Sequence, residues 1–160
     1  MHVRSSTKVC SAIALLTAMS FTALHADAPA SSPAEVQKAR HDHYHNLGEA
    51  SKTIRDLTRG RSPDFAAIEK AAEQVVKASI NQGQWFPKGS GPEAGKTRAL
   101  PEIWTKPAEF EAAQKMFSDR APALLAAAKA KDADAVRTAF REVGMSCKNC
   151  HDQFRSPEDH

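Results

Sequence analysis

Near the end of the chain, Val136, Phe140, Val143, Cys147, Cys150 and Phe154 follow one another at intervals of 4, 3, 4, 3 and 4 residues. That rhythm belongs to an α-helix with a single apolar stripe, and it places both cysteines on the stripe. Such a helix is marginal alone in water, so the rest of the chain has to cover it. Strand signals are scarce upstream: β-branched runs are few, and Ala, Glu, Lys and Leu are abundant. The cover must therefore come from other helices.

Three of them can be read. The first opens at Ser32-Pro33-Ala34-Glu35, a hydroxyl N-cap, a proline in the first helical position and an acid three residues after the cap. It is expected to end near Gly60. At about 100° per residue, Val36, Arg40, Tyr44, Leu47, Ile54 and Thr58 share one face. His43 lies at the edge of that face, while His41 and His45 point away. The second helix takes Ser62 as its cap and Pro63 in its first turn, carries Phe65, Ile68, Ala72, Val75, Val76 and Ile80 inward, and stops by Gly83.

Residues 83–106 gather Pro87, Gly89, Gly91, Pro92, Gly95 and Pro101 around Trp85, Phe86 and Trp104, which predicts a long connection packed down by its own aromatic rings. The third helix starts at Pro107 with the stripe Phe110, Ala113, Met116, Phe117, Leu124, Leu125 and Ala128; Pro122 predicts a kink or brief break after Asp119. Asp132 or Asp134 caps the fourth. Short connections between the first two and the last two helices make those neighbours antiparallel, so the expected fold is an all-α, antiparallel four-helix bundle.

The first 26 residues hold Arg4 and Lys8, no acid, an apolar stretch from Val9 to about Leu24 and a small-residue site ending at Ala26, the three parts of a cleaved secretory signal peptide. Ala28 is a second cutting point. Ser11, Thr17, Ser20 and Thr22 interrupt the apolar stretch, which argues against a membrane anchor. Thr7-Lys8-Val9 before Cys10 argues against a lipid anchor. The expectation is an exported, periplasmic domain of residues 27–160 in which Cys147 and Cys150 are the remaining cysteines, too few for a multi-bridge disulfide framework. Without the leader's two basic residues, 20 Lys and Arg face 19 Asp and Glu. That balance offers no footprint for a nucleic-acid partner and no strong charge steering toward any other.

Cys147-Lys148-Asn149-Cys150-His151 has the spacing of a c-type haem attachment site. Residues three apart share a helix face, so both thiols can add to the vinyl groups at one porphyrin edge while the adjacent imidazole reaches the iron. A thioredoxin-like thiol pair would need a βαβ context, which is not visible. A zinc site would need further ligands at suitable spacing. A structural disulfide remains open but leaves the adjacent histidine unexplained.

The leader, the four helices, the Trp85-Phe86-Pro87 and Gly91-Pro92-Glu93-Ala94-Gly95 loop, the run from Arg98 to Trp104 and the terminal Cys-x-x-Cys-His-x-x-Phe-Arg together resemble the cytochrome c′ family, the class II c-type cytochromes. The resemblance spans the whole of residues 27–160. It implies one covalent haem c per chain, His151 as the proximal iron ligand and, often, a homodimer formed through the first two helices. It also implies that Arg155 lies beside the proximal haem face, that Arg40 pairs with a propionate and that Tyr44 covers the distal face. Tyrosine departs from the ligating version of the family, which implies an open, crowded iron site that admits nitric oxide or carbon monoxide, passes single electrons and turns over no substrate. The redox partner is not specified.

The competing reading has a side chain in the sixth position and makes the protein a soluble electron carrier. His43 could swing onto iron; Met116 and Met145 are softer alternatives, the first better suited to core packing and the second on the same helix as His151. His41 and His45, four residues apart on an exposed face, are spaced for a surface metal ion, although solvated histidines are the commoner outcome.

Overall fold

A computed structural model describes residues 31–60 and 62–157; the expected signal peptide lies outside the described residues. Helix α1, Pro33–Thr58, begins with the full capping box: Ser32 accepts from the Glu35 amide while Glu35 accepts from the Ser32 amide. Helix α2 is Phe65–Asn81. The long connection holds two 3₁₀ turns, Gln82–Trp85 and Pro92–Ala94, and a single helical turn, α3, Glu102–Thr105. Helices α4, Pro107–Lys129, and α5, Ala133–Phe154, complete the bundle. In it α1 packs on α2, α2 on α4 and α4 on α5, and α1 closes the ring on α5.

Two apolar clusters fill the interior. The larger one joins Ile54 of α1, Ile68 and Val75 of α2, Phe117 and Leu124 of α4, and Val136 and Val143 of α5. The smaller one gathers Ile103, Phe110, Ala113 and Phe154, with Phe86 and Trp104 of the connection packed against it. Alanines supply much of the inner surface, among them Ala50, Ala71, Ala72, Ala113, Ala121, Ala127 and Ala128. Their small side chains let helix backbones approach closely. The end of α1 is also tied across the bundle, where the Arg137 guanidinium of α5 donates to the Thr58 carbonyl at 3.2 Å.

Three details differ from the sequence reading. The cap of α2 is Asp64, not Ser62: its carboxylate accepts from the Ala67 amide at 3.1 Å, and Pro63 precedes the helix. A carboxylate at this position also answers the positive end of the helix dipole. Ile80, expected on the inner face, is 70% exposed: α2 buries the stripe Ile68, Ala71, Ala72, Val75 and Ser79, and Ile80 lies about 100° round the helix from Ser79. The third long helix does not break after Asp119; α4 runs through Pro122. Pro122 is on the exposed side, where water can satisfy the carbonyl it deprives of a donor, while Ala121 and Leu124 on either side are fully buried and hold the helix together.

At the α4–α5 corner the Lys131 and Asp132 amides donate back to Ala128 and Ala127, and Lys131 adopts φ 56°, the left-handed end of a helix. Asp132 then caps α5 by accepting from both Asp134 and Ala135 amides. Replacing this cap in Asp132→Ala is expected to lower stability by about 1 kcal/mol, read as a shift of the urea midpoint at unchanged slope.

Candidate functional site

The site is built where α5 passes from the larger apolar cluster to the smaller. Cys147 packs against the first and Cys150 against the second, so the two half-buried thiols stand at the seam between them. Both are free, and burial pushes both thiols up, Cys150 to about 11 with Cys147 adding to the effect. As thiols they are therefore protonated at neutral pH. Next to them, partial burial and then the Arg155 and Arg98 cations hold the His151 imidazole below its ordinary range, against the opposing pull of Asp152. A neutral imidazole with a lone pair to give is the form a metal requires.

Tyr44 reaches toward this seam from α1. Burial raises its phenol well above the ordinary value, with Cys150 and Cys147 acting in the same direction and Arg40 and Arg155 opposing, so it lies within electrostatic range of the thiols and of the end of α5. Its hydroxyl donates to Gln82 Oε1 at 3.3 Å, and its ring meets Trp85 edge-on at 5.1 Å between centroids. His43 turns elsewhere: it is exposed and stacks on Trp85, 4.6 Å between centroids and 16° between planes. Met145 is exposed and Met116 half-buried, the latter on the α4 stripe.

Arg40 is buried, only 4% exposed, and its guanidinium is the anchor of the connection. Nη1 donates to the Trp85 carbonyl at 3.3 Å and Ser90 Oγ at 3.1 Å; Nη2 donates to the Ser90 carbonyl at 2.9 Å and Thr97 Oγ1 at 3.1 Å. The cation also lies 4.8 Å from the centre of the Phe86 ring and 5.9 Å from that of Trp104. These contacts satisfy a charge that would otherwise be costly to bury.

Arg155 leaves α5 in extended conformation and forms an isolated antiparallel bridge with Ala99. The Leu100 amide donates to the Phe154 carbonyl at 3.0 Å and the Ser156 amide to the Arg98 carbonyl at 2.8 Å. The Arg98 side chain adds two further bonds to the Ser156 carbonyl, from Nε at 3.2 Å and Nη2 at 2.8 Å. Residues 98–100 thus strap the end of the helix that carries the motif.

Cys147, Cys150, His151, Tyr44 and Arg155 are brought together around the seam, Arg40 is drawn into the connection beside it, and His43 is kept apart. Sequence reasoning gave no role to Gln82, Ser90, Thr97 or Arg98, whose parts here depend on contacts between distant segments. Among the described residues, no three His, Cys, Asp or Glu side chains gather as a metal cage. The donor set is a pair of thiols on one helix face, an adjacent neutral imidazole, apolar walls on both sides and arginines at the rim.

The sequence model of the family described as cytochrome C′ matches residues 35–155. The chain belongs to the cytochrome c′ family. It is 42% identical over 99 residues to the cytochrome c′ of Alcaligenes xylosoxydans xylosoxydans, covering 62% of this chain and 76% of that protein. Nitric oxide and carbon monoxide complexes of point variants of cytochrome c prime from Alcaligenes xylosoxidans superpose with TM-scores of 0.72 and 0.71, each at 32% identity, covering 81% and 79% of this chain and 99% and 98% of theirs. A cytochrome c′ described as having ligand-controlled dimer dissociation superposes with a TM-score of 0.75 at 27% identity, covering 80% of this chain and 99% of that one. The cofactor of a cytochrome c′ is covalent haem c, and the donor set at the seam fits it.

The Arg40 network makes the cytochrome c′ fold here sensitive to a change that keeps the charge. Arg40→Lys loses the planar fork and leaves buried carbonyls without donors, with an expected loss of about 2 to 3 kcal/mol. Amide exchange should rise across residues 85–97 and much less in the α4–α5 core.

Proposed function

We propose that this cytochrome c′-family protein is an exported, periplasmic gas-binding haem protein with five-coordinate, high-spin iron, able to pass single electrons and turning over no substrate. In this reading Cys147 and Cys150 hold the haem, His151 is its axial ligand, Arg155 lies beside the proximal face and Tyr44 covers the distal face. The haem supplies an iron that exchanges one electron and takes a small ligand. Arg40, whose terminal nitrogens are engaged by the connection, would stand beside a haem propionate and supply positive charge there.

The observation that carries the proposal is the placement of Tyr44. Its hydroxyl proton is held by Gln82, burial keeps it a protonated phenol and its ring is held by Trp85, so α1 presents a ring as a cover rather than a phenolate as a ligand. A small neutral diatomic needs only a slight displacement of that ring; a larger or anionic ligand meets an apolar wall without a donor. His43, the rival ligand, is stacked on Trp85 at the exposed edge. Nitric oxide and carbon monoxide complexes of the Alcaligenes protein support the choice of ligands. The exposed Ile80 of α2 and the dimer described for the other superposed structure support a homodimer through α1 and α2.

Optical and electron paramagnetic resonance spectra of the purified holoprotein, ferric and ferrous, with and without carbon monoxide, test the proposal. The expected result is high-spin iron and a Soret band that shifts with carbon monoxide. A low-spin spectrum indifferent to the gas would place a side chain on the sixth position and make the protein an electron carrier. Tyr44→Ala should speed carbon monoxide association by about tenfold or more, equivalent to removing about 1.4 kcal/mol of steric barrier.

A further inference from the structure

Outside the haem seam, α1 carries an exposed pair of imidazoles. His41 and His45 stand one helical turn apart with their rings parallel to within 5° and their centroids 6.5 Å apart. We propose that this pair is a surface chelate for a divalent transition ion of the zinc, nickel or copper type, separate from the haem.

The spacing is the first ground. Side chains four apart on a helix lie one above the other, the arrangement by which two imidazoles of a single helix bind one zinc ion. Metal–nitrogen bonds of about 2.0–2.1 Å require both rings to aim at one point between them, which stacked rings reach by side-chain rotation without moving the backbone. Access is the second ground: both residues are exposed, the His41 side chain by 81%, which leaves the remaining coordination positions to water.

The third ground is what surrounds the rings. His41 Nδ1 lies 3.6 Å from Asp42 Oδ1, too far for a hydrogen bond but near enough for the carboxylate to orient a ring whose other nitrogen holds a metal. Asp42 is steadied in turn by Lys38 at 2.6 Å. The helix beneath is fixed by the buried Arg40 and Ala50, so little chain ordering opposes binding. His43 does not join the pair, being stacked on Trp85. Imidazole donors and open water positions favour zinc, nickel or copper over calcium or magnesium.

Isothermal titration of the untagged holoprotein with zinc chloride alone tests the site. One saturable zinc per chain is expected, weakened at least about tenfold, or 1.4 kcal/mol, in His41→Gln and in His45→Gln, and unchanged in His43→Gln. Zinc should also raise the thermal midpoint of the parent protein and not that of the His41→Gln/His45→Gln double variant, whose Soret spectrum should match the parent's. Absence of saturable binding, equal binding by the double variant, or equal loss in His43→Gln would overturn the proposal.

Discussion

The connection between α2 and α4 has too little regular structure to hold itself together, and one buried cation organises it. The Arg40 guanidinium reaches Trp85, Ser90 and Thr97 at once and lies against the rings of Phe86 and Trp104. The connection adds a hydrogen bond of its own, since Trp104 Nε1 donates to the Phe86 and Pro87 carbonyls, both at 3.1 Å. Through Trp85 this order passes to Tyr44, and through Phe86 and Trp104 to the smaller apolar cluster against which Cys150 packs. A charge on the inward face of α1 is thus the point from which both the Tyr44 ring and the lining of the motif are set.

Division of the interior into two clusters also separates two tasks. The larger cluster is built from aliphatic and alanine contacts between long helices and carries most of the buried apolar surface, the dominant favourable contribution to folding. The smaller one is largely aromatic, with Phe86, Phe110 and Phe154 meeting edge to face at about 5 Å. Aromatic edges in such contacts add specificity of geometry to apolar burial. The attachment motif sits where the two regimes meet, close to a rigid core yet lined by rings whose arrangement the connection controls.

Much of this was legible in local patterns. The capping box at Ser32 and Glu35, the cap at Asp132 and the spacing from Val136 to Phe154 gave helix ends and inward faces, because those signals act within one or two turns. The motif at Cys147, Cys150 and His151 was equally local, and the placement of Tyr44 on the inward face followed from helical spacing. Misreadings arose where local signals competed or tertiary packing prevailed: Asp64 displaced Ser62 as a cap, buried neighbours carried α4 through Pro122, and the buried stripe of α2 ran through Ser79 and left Ile80 outside. The partners of Arg40 were not legible at all. Its hydrogen bonds join residues 45 to 57 apart, and no short-range rule says which loop carbonyl a buried guanidinium meets.

The strap at residues 98–100 governs how the end of α5 is held. Arg98 and Ser156 are 58 residues apart, so their bonds close a large loop and follow the formation of the local helical turns. Closure then fixes the last turn of α5 on both sides. The strap therefore adds a long-range hold to a helix end that its own last turn would otherwise leave to fray.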